Sequence, residues 1–313
     1  MDIRRNLMKF LIVGPGAMGC LFAARLHIGG FDVTLYDYNA VRADIINKKG
    51  ISVEGVSGDY NAAVPVITEL SGTDPDIVLI CVKSNKTGDA AEGLKNRTPQ
   101  KTLFATLQNG LGNIEILKEI LGDNRIIGGI TSEGATSLDT GKIRHAGMGS
   151  TVFGPARDFG NRLEELVAAF KKSGFSTSSA DNVDELIWSK LIVNVGINAL
   201  TAITGLKNGR LPEYEGSLAI IKEAVTEAVA VSKAKNINLA FDNPLEKVLE
   251  VCRNTAGNIA SMLQDVINKR PTEVDFINGA ICKQGEKEGI PTPVNRILTD
   301  LVKTIQESYH ERQ

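Results

Sequence analysis

The chain has 313 residues, with 35 Lys+Arg against 37 Asp+Glu and a formal net charge of −2. No long block of one sign interrupts that balance, so a nucleic-acid partner is not expected. Hydrophobic residues at 42% and charged residues at 23% exclude disordered, collagenous and coiled-coil classes, and the length favours two domains.

Four scattered cysteines, Cys20, Cys81, Cys252 and Cys282, show no C-x-x-C spacing. A disulfide framework or a zinc site is therefore not expected, and the reducing cytoplasm is the expected address. Basic residues precede an apolar run at Phe10–Val13, but the run is shorter than a leader's core of ~7–15 residues and Gly-Pro-Gly breaks it. Met8, just ahead of this run, is an alternative start. No run reaches the ~18–20 consecutive apolar residues of a membrane span, so no membrane partner is expected.

Taken in order, Phe10–Val13 reads as a strand, Met18–Gly29 as its helix and Asp32–Tyr36 as a second strand. Asn39 is placed to cap the next helix and Gly50 to end it. Ile77–Val82, Thr102–Leu107 and Arg125–Ile130 supply three further strands without alternation, which predicts a parallel sheet covered on both faces. Residues 142–153 read as a hairpin pair and Gly174–Ser179 as a last short strand, giving the sheet an end of mixed orientation. From Asp184 the pattern turns helical, with breaks at Asn208–Pro212, Asn236–Pro244 and Gly289–Pro293.

Gly14-Pro15-Gly16-Ala17-Met18-Gly19 follows the first strand and opens the first helix, the context in which G-x-G-x-x-G binds a dinucleotide pyrophosphate. Gly14 permits the tight turn, Gly16 the approach of backbone to phosphate, and Gly19 close packing of helix on strand. The fold class is therefore α/β: a Rossmann-type dinucleotide-binding domain over residues 1–180, followed by an all-α domain over 181–313. The cleft between two such halves is the default site. Asp37, at the end of the second strand, suits an adenosine ribose and repels a 2′-phosphate, which favours NAD over NADP. Arg42, one turn into the next helix, is the cation that argues the other way.

On the helix beginning near Asp184, Lys190, Asn194 and Asn198 recur every four residues among Leu186, Ile187, Leu191, Ile192, Val193, Val195 and Ile197. A polar stripe on an otherwise apolar, buried helix meets either an interhelical hydrogen-bond network or a polar ligand. Lys83 lies at the carboxyl end of a central strand, where open parallel sheets bind ligands. Asn109 ends the next strand, Asn208 sits in a Lys-Asn-Gly turn, and Glu273 follows Thr272 as a first-turn acid after an N-cap. Glu115 is another first-turn acid. His27, His145 and His310 are too scattered for a metal site, and none is expected.

The segments Cys81-Val-Lys83-Ser84, Leu107-Gln-Asn109-Gly-Leu-Gly112, Trp188-Ser-Lys190-Leu-Ile-Val-Asn194-Val-Gly-Ile-Asn198, Ser261-Met-Leu-Gln-Asp265 and Thr272-Glu273-Val-Asp275-Phe-Ile-Asn278-Gly279 stand in one order behind the glycine loop. Together they resemble the ketopantoate reductase family (2-dehydropantoate 2-reductase). The resemblance implies NAD(P)H-dependent reduction of 2-dehydropantoate, a 2-oxo acid, to (R)-pantoate on the way to pantothenate and coenzyme A. It implies Lys190 as general acid, Glu273 as the second catalytic residue, and Asn194, Asn198, Asn208 and Ser261 on the substrate. Lys83 and Asn109 would lie by the nicotinamide and substrate. Dimers are common in that family, and the long final helices offer a face for one. One departure stands out: NADPH-using members carry an arginine where Asp37-Tyr38 stands here, which puts their cofactor in doubt. A reductase of another 2-oxo acid and a catalytically silent dinucleotide sensor are the alternatives.

Overall fold

A computed structural model describes residues 8–155 and 160–311; Arg4 and Arg5, among the basic residues ahead of the Phe10–Val13 run, lie outside them. Strand β1 (Lys9–Val13) feeds helix α1 (Ala17–Ile28), and β2 (Asp32–Tyr36) feeds α2 (Ala40–Lys49). Asn39 caps α2 by accepting the Arg42 N–H at 3.0 Å, and Gly50 ends it at φ +73°. There follow β3 (Ile51–Gly55), β4 (Tyr60–Ala62), β5 (Val66–Ile67), β6 (Ile77–Ile80), α3 (Thr87–Leu94), β7 (Leu103–Thr106), α4 (Asn113–Leu121) and β8 (Ile126–Thr131). Strands β9 (Gly134–Asp139), β10 (Lys142–Gly147) and β11 (Ser150–Pro155), helix α5 (Arg162–Lys172) and β12 (Ser176–Ser179) complete this part.

Eight strands form the main sheet in the order β12-β11-β8-β7-β6-β1-β2-β5. The run from β8 to β5 is parallel, whereas β11 lies antiparallel on β8, so the end of mixed orientation is present. Ile77, Val78, Leu79 and Ile80 are all buried, as expected of a central strand covered on both faces. The chain leaves β1 toward β2 on one side and has β6 on the other, which makes the carboxyl ends of β1 and β6 a topological switch point.

The hairpin expected over 142–153 is not formed. β10 pairs antiparallel with β9 across the turn at Gly141, and parallel with β3, in a separate four-stranded sheet of order β4-β3-β10-β9. β11 belongs to the main sheet. Gly149 marks the step between sheets, for a Cβ there would stand 2.4 Å from the Ser132 carbonyl oxygen. The strands of the second sheet are short and polar, with Ser52, Glu54, Tyr60 and Asn61 among them, and gave no apolar run to read.

His145 of β10 is fully buried and its Nε2 lies 2.7 Å from Oε2 of Glu133, itself buried at the junction of β8 and β9. The pair fastens the small sheet to the chain leaving the large one. Glu133→Ala strands the imidazole without that partner, and the expected cost is about 3 kcal/mol. Thermal unfolding should fall by roughly 6–12 °C; a fall under about 2 °C would remove the pair from the account of stability.

The second part is helical: α6 (Val183–Thr204), a 3-10 stretch at Asn208–Glu213, α7 (Glu215–Ala234), α8 (Pro244–Asn254) and α9 (Ser261–Ile267). A short 3-10 turn, Val274–Phe276, leads into α10 (Asn278–Glu288) and α11 (Pro293–Glu307). All three expected breaks fall between helices, and Pro244 and Pro293 stand at first helical positions, where a missing N–H costs nothing. α6 is long and apolar enough to span a bilayer by length and composition, yet 67% of its apolar window is buried inside the protein. It packs Trp188, Leu191, Ile192, Val195 and Leu200 into one core with Ile221, Val225, Val248, Ile281 and Val302. By contacts the chain divides into two compact units. One runs through Gln108 and from Asn113 to Val183; the other comprises Asn109–Gly112 and the chain from Asp184 onward.

Candidate active site

In the α/β unit the glycine loop has the conformation a dinucleotide site requires. Gly14 stands at φ +106°, and a Cβ on Gly19 would fall 1.9 Å from the Gly14 carbonyl oxygen, so helix and loop meet at contact distance. At Gly16 a Cβ would find no atom within 4 Å, which leaves the loop's outer face open for a phosphate. No side chain caps α1, whose first-turn N–H groups and positive dipole end remain for an anion. Pro15, Ala17 and Met18 complete the loop. These residues fit a dinucleotide.

At the end of β2 the Asp37 carboxylate is buried and closely held. Oδ1 accepts the Asn39 backbone N–H at 3.0 Å and Arg42 Nη2 at 2.6 Å, and Oδ2 accepts Arg42 Nε. The paired carboxylate raises the Arg42 pKa, and the guanidinium lies over the exposed Tyr38 ring with its carbon 5.7 Å from the centroid. Sequence set Asp37 and Arg42 in opposition; the structure joins them.

Lys83 follows β6 and is half-buried at the head of a 3-10 turn, with its carbonyl accepting the Lys86 N–H at 2.8 Å. A network that the sequence did not reveal braces this end of the sheet. Gln108 Nε2 donates to the Val82 carbonyl at 2.7 Å and to Thr87 Oγ1 at 2.9 Å; Thr87 donates to Asn113 Oδ1 at 2.8 Å, and Asn113 to Ser84 Oγ at 3.2 Å. The signal for it was the pair of polar residues, Gln108 and Asn113, flanking the glycine turn.

In the helical unit, Lys190 and Asn194 are half-buried on α6 and Asn198 is buried. Loss of water around the ammonium pushes the Lys190 pKa down to about 8, and the nearby Glu273 carboxylate opposes the fall. Glu273 is buried just ahead of the Val274–Phe276 turn, and Thr272 Oγ1 accepts the Val274 N–H at 3.3 Å in the manner of a cap. Asn109 was expected with the strands but groups with the helices: the Leu111 N–H donates to the Phe276 carbonyl at 2.8 Å. Gly110 makes that approach possible, since a Cβ there would lie 2.2 Å from the same oxygen. The Asn109 loop is thus fastened to the turn that carries Glu273.

Asn208 is buried in the 3-10 stretch after α6; its Nδ2 donates to Thr255 Oγ1 at 2.9 Å, while its buried Oδ1 has no hydrogen-bond partner. Ser261 is exposed at the first position of α9. Glu115 lies in the first turn of α4. Among the described residues, no three His, Cys, Asp or Glu side chains gather as a metal site.

Residues 10–158 match the family described as Ketopantoate reductase PanE/ApbA, and residues 182–306 its C-terminal counterpart. The chain belongs to the ketopantoate reductase family. It is 34% identical over 302 residues to the 2-dehydropantoate 2-reductase of Halobacterium salinarum, covering 96% of this chain and 99% of that one. Its fold is similar to that of the PanE/ApbA family ketopantoate reductase of Ralstonia eutropha JMP134, with TM-score 0.89 and 31% identity over 97% of this chain and 100% of that one. It is similar also to D-mandelate dehydrogenase in a ternary structure with NADH and anilino(oxo)acetate, with TM-score 0.89 and 26% identity over 97% and 99% of the two chains. Within this chain, the residue that the sequence passed over is Asn278: it was read only as part of a motif, yet it is fully buried and links two helices.

Proposed function

We propose that the chain reduces 2-dehydropantoate to (R)-pantoate, with Lys190 as the general acid and NADH as the favoured cofactor. The observation that carries the reading is the lysine itself: a desolvated ammonium with a pKa near 8, on a polar stripe, with a carboxylate close by. The bound nicotinamide supplies the hydride. As the ketone carbon accepts it, negative charge grows on the oxygen, and Lys190 Nζ stabilises that charge and delivers the proton. Glu273 keeps the ammonium charged until the transfer by opposing its desolvation. Asn194 and Asn198, on the same stripe, offer amide donors and acceptors to the carboxylate and hydroxyl of the substrate. Asn208, Ser261 and Asn109 are further substrate contacts by the family resemblance. Gly14–Gly19 cradle the pyrophosphate, Asp37 faces the adenosine ribose, and Lys83 and Asn109 lie toward the nicotinamide. All four cysteines are free thiols, which suits a reducing cytoplasm.

The test is initial rates with 2-dehydropantoate, comparing NADH with NADPH at equal concentrations. Rapid turnover with an NADH preference is expected. The likeness to D-mandelate dehydrogenase with NADH supports a second reading, reduction of another 2-oxo acid on the same machinery. A panel of 2-oxo acids with different groups on C3 separates the two. Cofactor binding without turnover on any of them would leave only the dinucleotide sensor.

A further inference from the structure

Glu273 is the last of six irregular residues, 268–273, between α9 and the Val274–Phe276 turn that leads into α10, so no regular element of its own sets where it falls. Several contacts hold the chain around it: the Tyr309 hydroxyl donates to the Arg270 carbonyl at 3.0 Å, and Lys303 Nζ pairs with Asp275 Oδ1 at 2.7 Å. The Thr272 N–H donates to Gln306 Oε1 of α11 at 2.5 Å, and the Phe276 carbonyl accepts the Leu111 N–H at 2.8 Å. The fastening that reaches α6 itself is the side chain of Asn278. Asn278 opens α10, is wholly buried, and donates from Nδ2 to the Val195 carbonyl of α6 at 3.2 Å and to Asn295 Oδ1 at 2.9 Å. Val195 follows Asn194 directly and stands five residues beyond Lys190.

Asn295 is itself wholly buried and anchored. Its Nδ2 donates to the Ala224 carbonyl at 3.0 Å and to Glu227 Oε2 at 2.7 Å, both on α7. Glu227 also accepts the Val294 and Asn295 backbone N–H groups at 2.8 and 2.9 Å, capping α11 from a neighbouring helix. A line of bonds therefore runs from Glu227 through Asn295 and Asn278 to the backbone of the helix that carries Lys190. The line is not optimised for stability, because Asn278 Oδ1 is buried without a partner. An orphaned amide oxygen costs about 1–3 kcal/mol, and an apolar side chain of similar size would avoid it. What the amide gives in return is a directional tie between α6, which bears Lys190, and the start of α10, five residues beyond Glu273.

We propose that Asn278, held by Asn295 and Glu227, is a positioning residue that sets Glu273 against Lys190. This rests on the reading of that pair as the acid machinery, but its effect on the lysine is measurable without turnover. Lys190 titrates near 8 with Glu273 opposing desolvation. If the tie is cut and Glu273 withdraws, the lysine pKa falls, as it does when the carboxylate is removed outright.

The decisive measurement is 15N-lysine NMR titration of the Lys190 ammonium, assigned by its loss in Lys190→Met. Asn278→Leu and Glu273→Gln should lower its pKa by similar amounts, and the double variant should lower it no further. Glu227→Gln, which preserves shape at the far end of the line, should move it in the same direction by less. In turnover, Asn278→Leu should reduce kcat for the 2-oxo acid by roughly tenfold with the KM for NADH unchanged. An unchanged titration in Asn278→Leu or Glu227→Gln, or a double variant shifted by the sum of the two singles, overturns the proposal. Absence of turnover in the unaltered chain would instead overturn the assigned reaction, with the titration still deciding the role of Asn278. Should Asn278→Leu fail to fold, Glu227→Gln carries the decision.

Discussion

Lys190→Met is expected to lower kcat with 2-dehydropantoate by about 10²–10⁴-fold, the range that a positioned general acid supplies, or roughly 3–5 kcal/mol of barrier. Methionine keeps the length of the side chain, so packing on α6 is nearly preserved and the loss reports on the charge and the proton. The pH dependence follows from the direction of the shift. Burial lowers the ammonium pKa to about 8, and the acid works only while protonated, so the protonated form prevails below that pH. Turnover per enzyme should therefore be level on the acid side and fall about tenfold per unit above pH 8. Lys190→Arg supplies the internal control. Its guanidinium keeps a cation but does not release a proton in this range, so part of the electrostatic stabilisation should survive while the alkaline fall near 8 disappears. A Lys190→Met enzyme within threefold of the unaltered chain, or one that keeps the same alkaline limb, would sink the role given to this lysine.

The features legible in the sequence were those with a strictly local requirement. The glycine loop was legible because a tight turn, a positive φ and a close helix each demand glycine at a fixed offset. The stripe of Lys190, Asn194 and Asn198 was legible because helical period alone puts them in line on α6. Features that depend on distant chain were not. The four-stranded sheet joins β3 to β10 across some ninety residues, as its Glu54–Arg144 ion pair illustrates, and no local pattern announces such a partner. Asn109 was read with the strand before it, but Gly110 brings its loop onto the Phe276 carbonyl far along the chain. Asp37 and Arg42 were read as competitors because a sequence gives their separation and not their orientation. The Asn39 cap turns the chain so that one embraces the other.

That embrace determines the second large effect. Three N–H donors already engage the Asp37 carboxylate, which has room for about four, and its side chain is out of contact with water. A cofactor 2′-phosphate placed at the end of β2 would have to share Arg42 with a buried carboxylate that cannot be left unpaired cheaply. A ribose hydroxyl meets no such penalty: it is neutral, and an outward shift of the part-exposed Arg42 head that keeps the ion pair would open the remaining acceptor position to it. Removing each partner should therefore push cofactor choice in opposite directions. Asp37→Ala frees the guanidinium, and the Kd for NADPH is expected to tighten by roughly tenfold while that for NADH weakens, a swing of about 1.4 kcal/mol or more. Arg42→Ala leaves the carboxylate without its countercharge, so NADPH binding should weaken by at least about tenfold and thermal stability should fall with it. Fluorescence titration of each cofactor reads both constants without substrate. If Asp37→Ala left the ratio of the two constants where it was, or if Arg42→Ala improved NADPH binding, cofactor choice would lie elsewhere in the chain.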